Sequence, residues 1–173
     1  PGVIGEDMRN SVNVALDVGP AGPVQRQVAT YVPADITGLD RRAVARTSPR
    51  DGTQDFEPNL FPMAELADPG LPWLASTGAT PWIVLVVIED RLGVTLASTN
   101  RGTTLSIQAP ASAAEELPDL AQAAAWVHAQ GSLSRLIAPR RLLPGRSYHA
   151  CIVPAFAAGV AAALGNPVTG DGP

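Results

Sequence analysis

Apolar and polar residues alternate near the start of the chain in the way typical of a β-strand. The alternation runs from Ser11 to Val18, and its apolar positions share one face. Glycine and proline at 19 to 23 end the run, and the stretch from Val24 to Val32 offers further valines to the same face. This pattern predicts a first hairpin near a sheet edge.

The segment from 33 to 81 shows no periodicity and carries recurring prolines, each of which fixes φ and removes a backbone donor. A helix or a central strand is therefore not expected there. The segment is too apolar for a disordered linker, and Phe56, Phe61 and Trp73 are among its large side chains. It predicts an extended arm that covers the sheet of its own domain or, alternatively, docks on a neighbouring subunit.

A continuous apolar run from Trp82 to Ile88 is rich in β-branched residues, which predicts a central strand covered on both faces. Further along, residues 94 to 99 and 103 to 108 flank a short connection that contains Gly102. A glycine in such a connection is typical of a hairpin turn, because positive φ is often needed there. These elements predict a mixed, mostly antiparallel sheet.

Helical signals are confined to the second half of the chain. Ser112 and Glu115 have capping-box spacing, Pro118 suits a first helical position and Gly131 suits a helix end. One main helix is therefore predicted over 118 to 130.

The last part of the chain predicts a strand and a second helix. The strand covers 147 to 153, and a short Ala-rich helix covers 155 to 164. The predicted fold class is α+β, with one main helix, a short C-terminal helix and the proline-rich arm at 33 to 81. We expect one domain over 1 to 165 and a flexible tail over 166 to 173, and we leave open whether the chain is a fragment of a longer protein.

Length and composition narrow the function classes. A chain of 173 residues can bury about 70% of its unfolded surface without metals or disulfides, and the single Cys151 cannot pair within the chain. The net charge of -4 argues against a general nucleic-acid binder. No apolar run approaches the roughly 20 residues of a membrane span. We expect a cytoplasmic protein or part of an assembled particle, with export left open.

The sequence from Leu142 to Tyr148 has the form Leu-x-Pro-Gly-x-x-Tyr, which resembles the tyrosine corner of fibronectin-III-like sandwiches. The resemblance implies that the Tyr148 hydroxyl bonds to the backbone upstream and fixes the turn that enters a strand. It indicates a stabilising contact rather than a binding site.

Candidate chemistry is sparse. His149 and Cys151 share one face of the predicted strand, about 6 to 7 Å apart, so a cysteine-dependent hydrolase is the alternative to a non-enzymatic protein. A metal site from His128, His149 and Cys151 would draw on two separate elements without the usual ligand spacing. No phosphate-binding glycine motif is present, and no cofactor is expected.

Charged and aromatic residues supply candidate partner contacts. Basic residues cluster near 135 to 146 and 41 to 50, and acidic residues concentrate between 51 and 68. They predict either solvated surface charges or complementary patches that steer assembly. The candidate contacts are Phe56, Phe61, Trp73, Arg135, Arg140 and Arg141.

Several segments together resemble the amino-terminal region of large uncharacterised proteins of GC-rich bacteria, associated with phage-tail-like contractile injection systems. The segments are Pro33 to Asp40, Asp55 to Pro62, Leu71 to Leu74, Pro81 to Val87, Glu116 to Leu120 and Leu133 to Leu142. The resemblance is carried by no catalytic motif and implies that the chain is a fragment or one domain of a longer polypeptide. We expect a non-enzymatic structural or adaptor module that contacts other protein subunits, with a homo-oligomer left open. A ligand-binding or carbohydrate-binding module that uses exposed aromatics is a further alternative.

Overall fold

The computed structural model describes most of the chain. The described residues are 10–17, 23–30, 39–57, 60–73, 80–91, 93–99, 102–107, 116–164 and 166–167. The strands in these ranges are β1 (Asn10–Asp17), β2 (Pro23–Thr30), β3 (Val44–Ser48), β4 (Met63–Leu66), β5 (Ile83–Glu89), β6 (Val94–Thr99), β7 (Gly102–Ile107), β8 (Val127–Gln130), β9 (Leu133–Ile137) and β10 (Tyr148–Pro154). All strand pairs are antiparallel, so the predicted, mostly antiparallel β-rich α+β fold is confirmed at that level.

The largest sheet has four strands in the order β3-β4-β9-β8. Two of them, β3 and β4, come from the segment predicted to be an extended arm, and β4 is hydrogen-bonded on both sides. The prediction that no central strand lies between 33 and 81 is therefore wrong. The prolines of this segment do not prevent the strand, because β4 contains none and Pro62 immediately precedes it.

The apolar run at 82 to 88 forms the centre of the core, as its composition predicted. All six residues from Ile83 to Ile88 are buried, and Leu66, Leu136 and Val127 of the larger sheet belong to the same core cluster. Within the described residues, however, β5 pairs with β10 alone. In the part of the chain that the structure describes, the run therefore belongs to a two-stranded pair beside the four-stranded sheet, and not to the centre of a larger sheet as predicted.

The main helix predicted over 118 to 130 is wrong. A 3-10 helix covers Leu120–Ala125 with Asp119 as its N-cap, and the chain then extends into β8. Val127 pairs with Leu136 and is buried, so tertiary pairing outweighs the local helical preference. Gly131 has the expected positive φ of 61°, but it serves the turn between β8 and β9.

The remaining predictions of elements are largely confirmed. The hairpins β1–β2 and β6–β7 form at the expected places, although β7 begins at Gly102. The C-terminal strand and the short helix also form, the latter as α1 (Ala157–Leu164), which contacts β10. The capping box at 112 to 115 and the tail beyond 167 lie outside the described residues.

Candidate functional site

Glu65 is a buried carboxylate that holds three adjacent strands together. It lies on β4, directly opposite Arg46 of β3 and Arg135 of β9. Its side chain is 3% exposed and accepts hydrogen bonds from Arg46 Nε at 2.5 Å and from Arg135 Nε at 2.7 Å. The Arg46 and Arg135 guanidinium groups hold the pKa of Glu65 below its usual value, so the carboxylate stays ionised.

A second buried carboxylate, Glu116, lies beside the end of β5. Its side chain is 3% exposed and forms ion pairs with Arg140 and, at 2.7 Å, with Arg91. The Arg91 Nη2 atom lies within ion-pair distance of this carboxylate, but it forms no hydrogen bond with any described residue. The second oxygen of Glu116 accepts the backbone N–H of Glu89 at 3.2 Å.

Further charged and aromatic groups extend this second cluster. Glu89 pairs with Arg146 at 3.2 Å and lies 3.7 Å from the Arg140 guanidinium. The same guanidinium lies 5.1 Å from the centre of the Tyr148 ring, within the range of a cation–π contact. Arg140, which the sequence analysis proposed as a partner contact, is therefore held by internal contacts and is 20% exposed.

The resemblance to a tyrosine corner is confirmed as a local contact. The Tyr148 hydroxyl accepts the backbone N–H of Leu143 at 2.9 Å, and Gly145 has a positive φ of 70° in the turn between them. This contact fixes the point at which the chain enters β10. It therefore positions both Arg140, through the Tyr148 ring, and the polar residues that follow on the strand.

A shallow recess lies between β5 and the segments around Glu116 and Pro139. Its volume is ≈ 90 Å³, which is well below the roughly 300 to 1,000 Å³ of a typical small-molecule site. Leu85 and Val87 of β5 form one wall, and Glu116 and Arg140 form its charged end. The recess has room for a few waters.

His149 has an acidic neighbour that the sequence analysis missed. Its Nε2 atom lies 3.4 Å from Asp90 Oδ1, which places a carboxylate, His149 and Cys151 in order along one face of the β5–β10 pair. Burial raises the pKa of the Cys151 thiol, so the thiol is protonated near neutral pH. Sequence reasoning missed Asp90 because it gave no register between two strands so far apart in the chain.

The proposed partner contacts fall into two groups. Phe56 and Trp73 pack against the core and are partly buried, and Arg135 is held by Glu65. By contrast, Phe61 is 48% exposed and Arg141 is exposed. Of the six candidates, only these last two are exposed.

Several large apolar side chains are exposed in the described part of the chain. They are Phe61, Leu96, Leu117, Leu143, Val160 and Leu164. Val160 and Leu164 are four residues apart on α1 and therefore adjacent on its surface. This helix contains no polar side chain at all, which is unusual for a helix with an exposed face.

Other types of site have less support. Across the ranges that the structure covers, no three metal-ligating side chains come together, and no helix is both long and apolar enough to cross a membrane. His128 is exposed on β8, in a different sheet from His149 and Cys151. Comparisons of the chain with protein-family models, curated proteins and solved structures gave no match.

Proposed function

We propose that the protein is a non-enzymatic structural or adaptor module that binds other protein subunits. The observation that carries this proposal is the apolar exposed face of α1. Val160 and Leu164 are 37% and 51% exposed, although the helix offers only apolar side chains to its surroundings. Apolar surface of this kind is a recurrent mark of protein–protein contact.

The charged clusters support the same proposal. Glu65 and Glu116 each bridge two arginines that come from different segments, so these charges fix the positions of the segments. A module that presents surfaces to partners benefits from such a rigid framework, because less conformational freedom is lost on binding. The association with a phage-tail-like assembly remains a proposal that rests on the resemblance of the segments described above.

A cysteine-dependent hydrolase is the second candidate, because Asp90 supplies the carboxylate that would orient His149. The raised pKa of Cys151 opposes it, since the thiolate is the nucleophile. A carbohydrate-binding module has less support. The Trp82 ring is 4% exposed and its Nε1 donates to the Leu71 carbonyl at 2.6 Å, so it offers no platform for a sugar.

The adaptor function is tested by capture with matched surface variants. The purified chain and its variants Leu164→Glu and Ala129→Glu serve as baits in extract from the source cells, and captured proteins are quantified by mass spectrometry. Both variants add one negative charge at an exposed position, but only Leu164→Glu alters the apolar face of α1.

We expect at least one protein that the native chain and Ala129→Glu capture equally and that Leu164→Glu loses. Circular dichroism and thermal unfolding verify that both variants are folded. Identical captured sets for all three baits, together with a monomeric mass at high concentration by analytical ultracentrifugation, would contradict the proposal.

A further inference from the structure

One face of the four-stranded sheet points away from the core. Ala64 and Leu66 belong to the core cluster, and side chains alternate along a strand, so Glu65 between them faces the other side. The register places Arg46 and Arg135 beside Glu65 on this outer face. A charged row therefore crosses three strands of the sheet. We call this row, Arg46–Glu65–Arg135, the arginine row.

Apolar side chains border the arginine row on the same face. Met63 lies two positions before Glu65 and is half-buried. The Pro62 carbonyl accepts the Ala138 N–H at 2.8 Å, which continues the pairing of β4 with the β9 segment by one residue. The alternation therefore also places Phe61 on the outer face, in agreement with its exposure of 48% and with the burial of Pro62.

The outer face is accessible, and its charged side chains are held in place. The side chains of Arg46 and Arg135 are 61% and 34% exposed. Both guanidinium groups donate to the Glu65 carboxylate, at 2.5 and 2.7 Å, so their positions are fixed before any partner binds. Such side chains lose less conformational freedom on binding, and Arg, Met and aromatic residues are enriched in protein interfaces. The outer face therefore has the composition of a protein-binding surface.

The connection between β3 and β4 carries the opposite charge to the arginine row. Two arginines and one glutamate give the row a net charge of +1. Asp51, Asp55 and Glu57 in the connection are exposed, and the sequence from 51 to 57 contains no basic residue. We call these three carboxylates the acidic connection.

The order of these groups along the strands makes the surface self-complementary. The connection joins the end of β3 to the start of β4, so Phe61 and Met63 lie between its acidic residues and the arginine row. The outer face is thus negative at one end, apolar in the middle and positive at the other end. Across a two-fold axis the same surface of two copies meets in opposite directions. Each acidic connection then lies against the arginine row of the other copy.

We propose that the outer face of the four-stranded sheet binds the same face of a second copy about a two-fold axis. Phe61 and Met63 of the two copies pack together, and the acidic connection of each copy contacts the arginine row of the other. The inference goes beyond the proposed function, because it concerns a surface other than α1 and names a second copy as the partner.

The first test is analytical ultracentrifugation of the full chain over a range of concentrations, in about 0.1 M and about 1 M sodium chloride. We expect a reversible equilibrium between monomer and dimer. Its dissociation constant should rise at least about tenfold at the higher salt, because the Debye length falls from about 10 to about 3 Å. A monomer at every concentration, or a dimer that salt does not weaken, would overturn the proposal.

Charge variants distinguish the proposed contact from a general effect of net charge. The double variant Asp55→Asn with Glu57→Gln changes the net charge from -4 to -2, which would strengthen association if only overall repulsion mattered. We expect the dissociation constant to rise at least about fivefold instead, because two-fold symmetry applies each change twice. The control Asp68→Asn removes an exposed charge beyond the opposite end of β4 and should not weaken the dimer. A tighter dimer in the double variant contradicts the proposal.

Apolar variants separate the outer sheet face from α1. Phe61→Ser is expected to weaken the dimer at least about tenfold, since aromatic side chains near the centre of an interface contribute most to binding. The control Leu143→Ser changes a residue of similar exposure, 51%, outside this face and should leave the dimer unchanged. Circular dichroism verifies that both variants are folded.

The variant Leu164→Glu makes failure of this inference distinguishable from failure of the proposed function. If Leu164→Glu dissociates the dimer and Phe61→Ser does not, self-association belongs to α1, and the inference fails while the proposed function is supported. If Phe61→Ser dissociates the dimer and Leu164→Glu neither does so nor loses a captured protein, the inference holds and the proposed role of α1 fails.

Discussion

The substitution Glu116→Gln is expected to lower the free energy of unfolding by about 2 to 3 kcal/mol. Hydrogen bonds to charged groups contribute about 1.5 to 3 kcal/mol, and removing one partner of a fully buried ion pair costs about 3 to 5 kcal/mol. Glu116 is 3% exposed, but Arg140 and Arg91 are 20% and 34% exposed and can turn partly toward water. Glutamine preserves the shape and still accepts the Glu89 N–H, so the effect lies at the lower end of these values.

The assay is thermal unfolding at neutral pH, followed by circular dichroism and calorimetry. For a chain of this length, about 1 kcal/mol corresponds to about 2 to 4 °C, so the expected fall in Tm is about 4 to 12 °C. The control Glu57→Gln removes the same charge from an exposed side chain and should change stability by no more than about 0.5 kcal/mol.

Salt separates the buried cluster from ordinary surface charge. Exposed ion pairs weaken strongly between low and high ionic strength, whereas buried ones are screened much less. The difference in Tm between the two variants should therefore persist in about 1 M salt, where the Debye length is only about 3 Å and exposed charges are strongly screened. If Glu116→Gln unfolds at the same temperature as Glu57→Gln, the cluster does not stabilise the fold and the reasoning above is wrong.

Three further predictions follow from single contacts. Arg46 and Arg135 lower the folded-state pKa of Glu65, so the stability from this contact is complete above the unfolded pKa, near 4.5, and is lost as the pH falls through the lower folded value. The variant Glu65→Gln should therefore lose less of its free energy of unfolding at acid pH than the native chain does, as measured by urea unfolding. Gly159→Ala should destabilise the protein despite the better helix propensity of alanine, because the new Cβ would lie 2.8 Å from Pro154 Cβ; a higher Tm would contradict this. Cys151 should react with a thiol probe more slowly in the folded chain than in the unfolded chain at neutral pH, because burial raises its pKa. Rapid labelling of the folded chain would instead support the hydrolase function.

Features that depend on neighbouring residues could be predicted from the sequence. The alternation that starts at Ser11, the two runs that flank Gly102 and the Ala-rich run before Leu164 each contain their own structural information, and β1, the β6–β7 hairpin and α1 form there. The Pro144–Gly145 turn and Tyr148 are similarly local, because the hydrogen bond spans only five positions. These predictions needed no knowledge of which distant segments meet.

Features that depend on distant partners could not be predicted in this way. Residues 127 to 130 follow a helical start and have no strong strand pattern, yet they extend because β9 offers a partner through the turn at Gly131. The four-residue β4 lies among prolines, and its place between β3 and β9 decides its conformation. In both cases tertiary pairing outweighs a weak local preference.

The candidate site depends on contacts between residues far apart in the sequence even more strongly than the fold does. Arg46 and Arg135 are separated from Glu65 by 19 and 70 positions, and Arg140 is 24 positions from Glu116. The strands at 82 to 88 and 147 to 153 were both predicted, but no short turn joins them and so nothing local sets their register. Once Ser147 is known to lie opposite Asp90, the position of the Asp90–His149 pair follows from strand alternation. A single register between β5 and β10 therefore determines the candidate site on this strand pair.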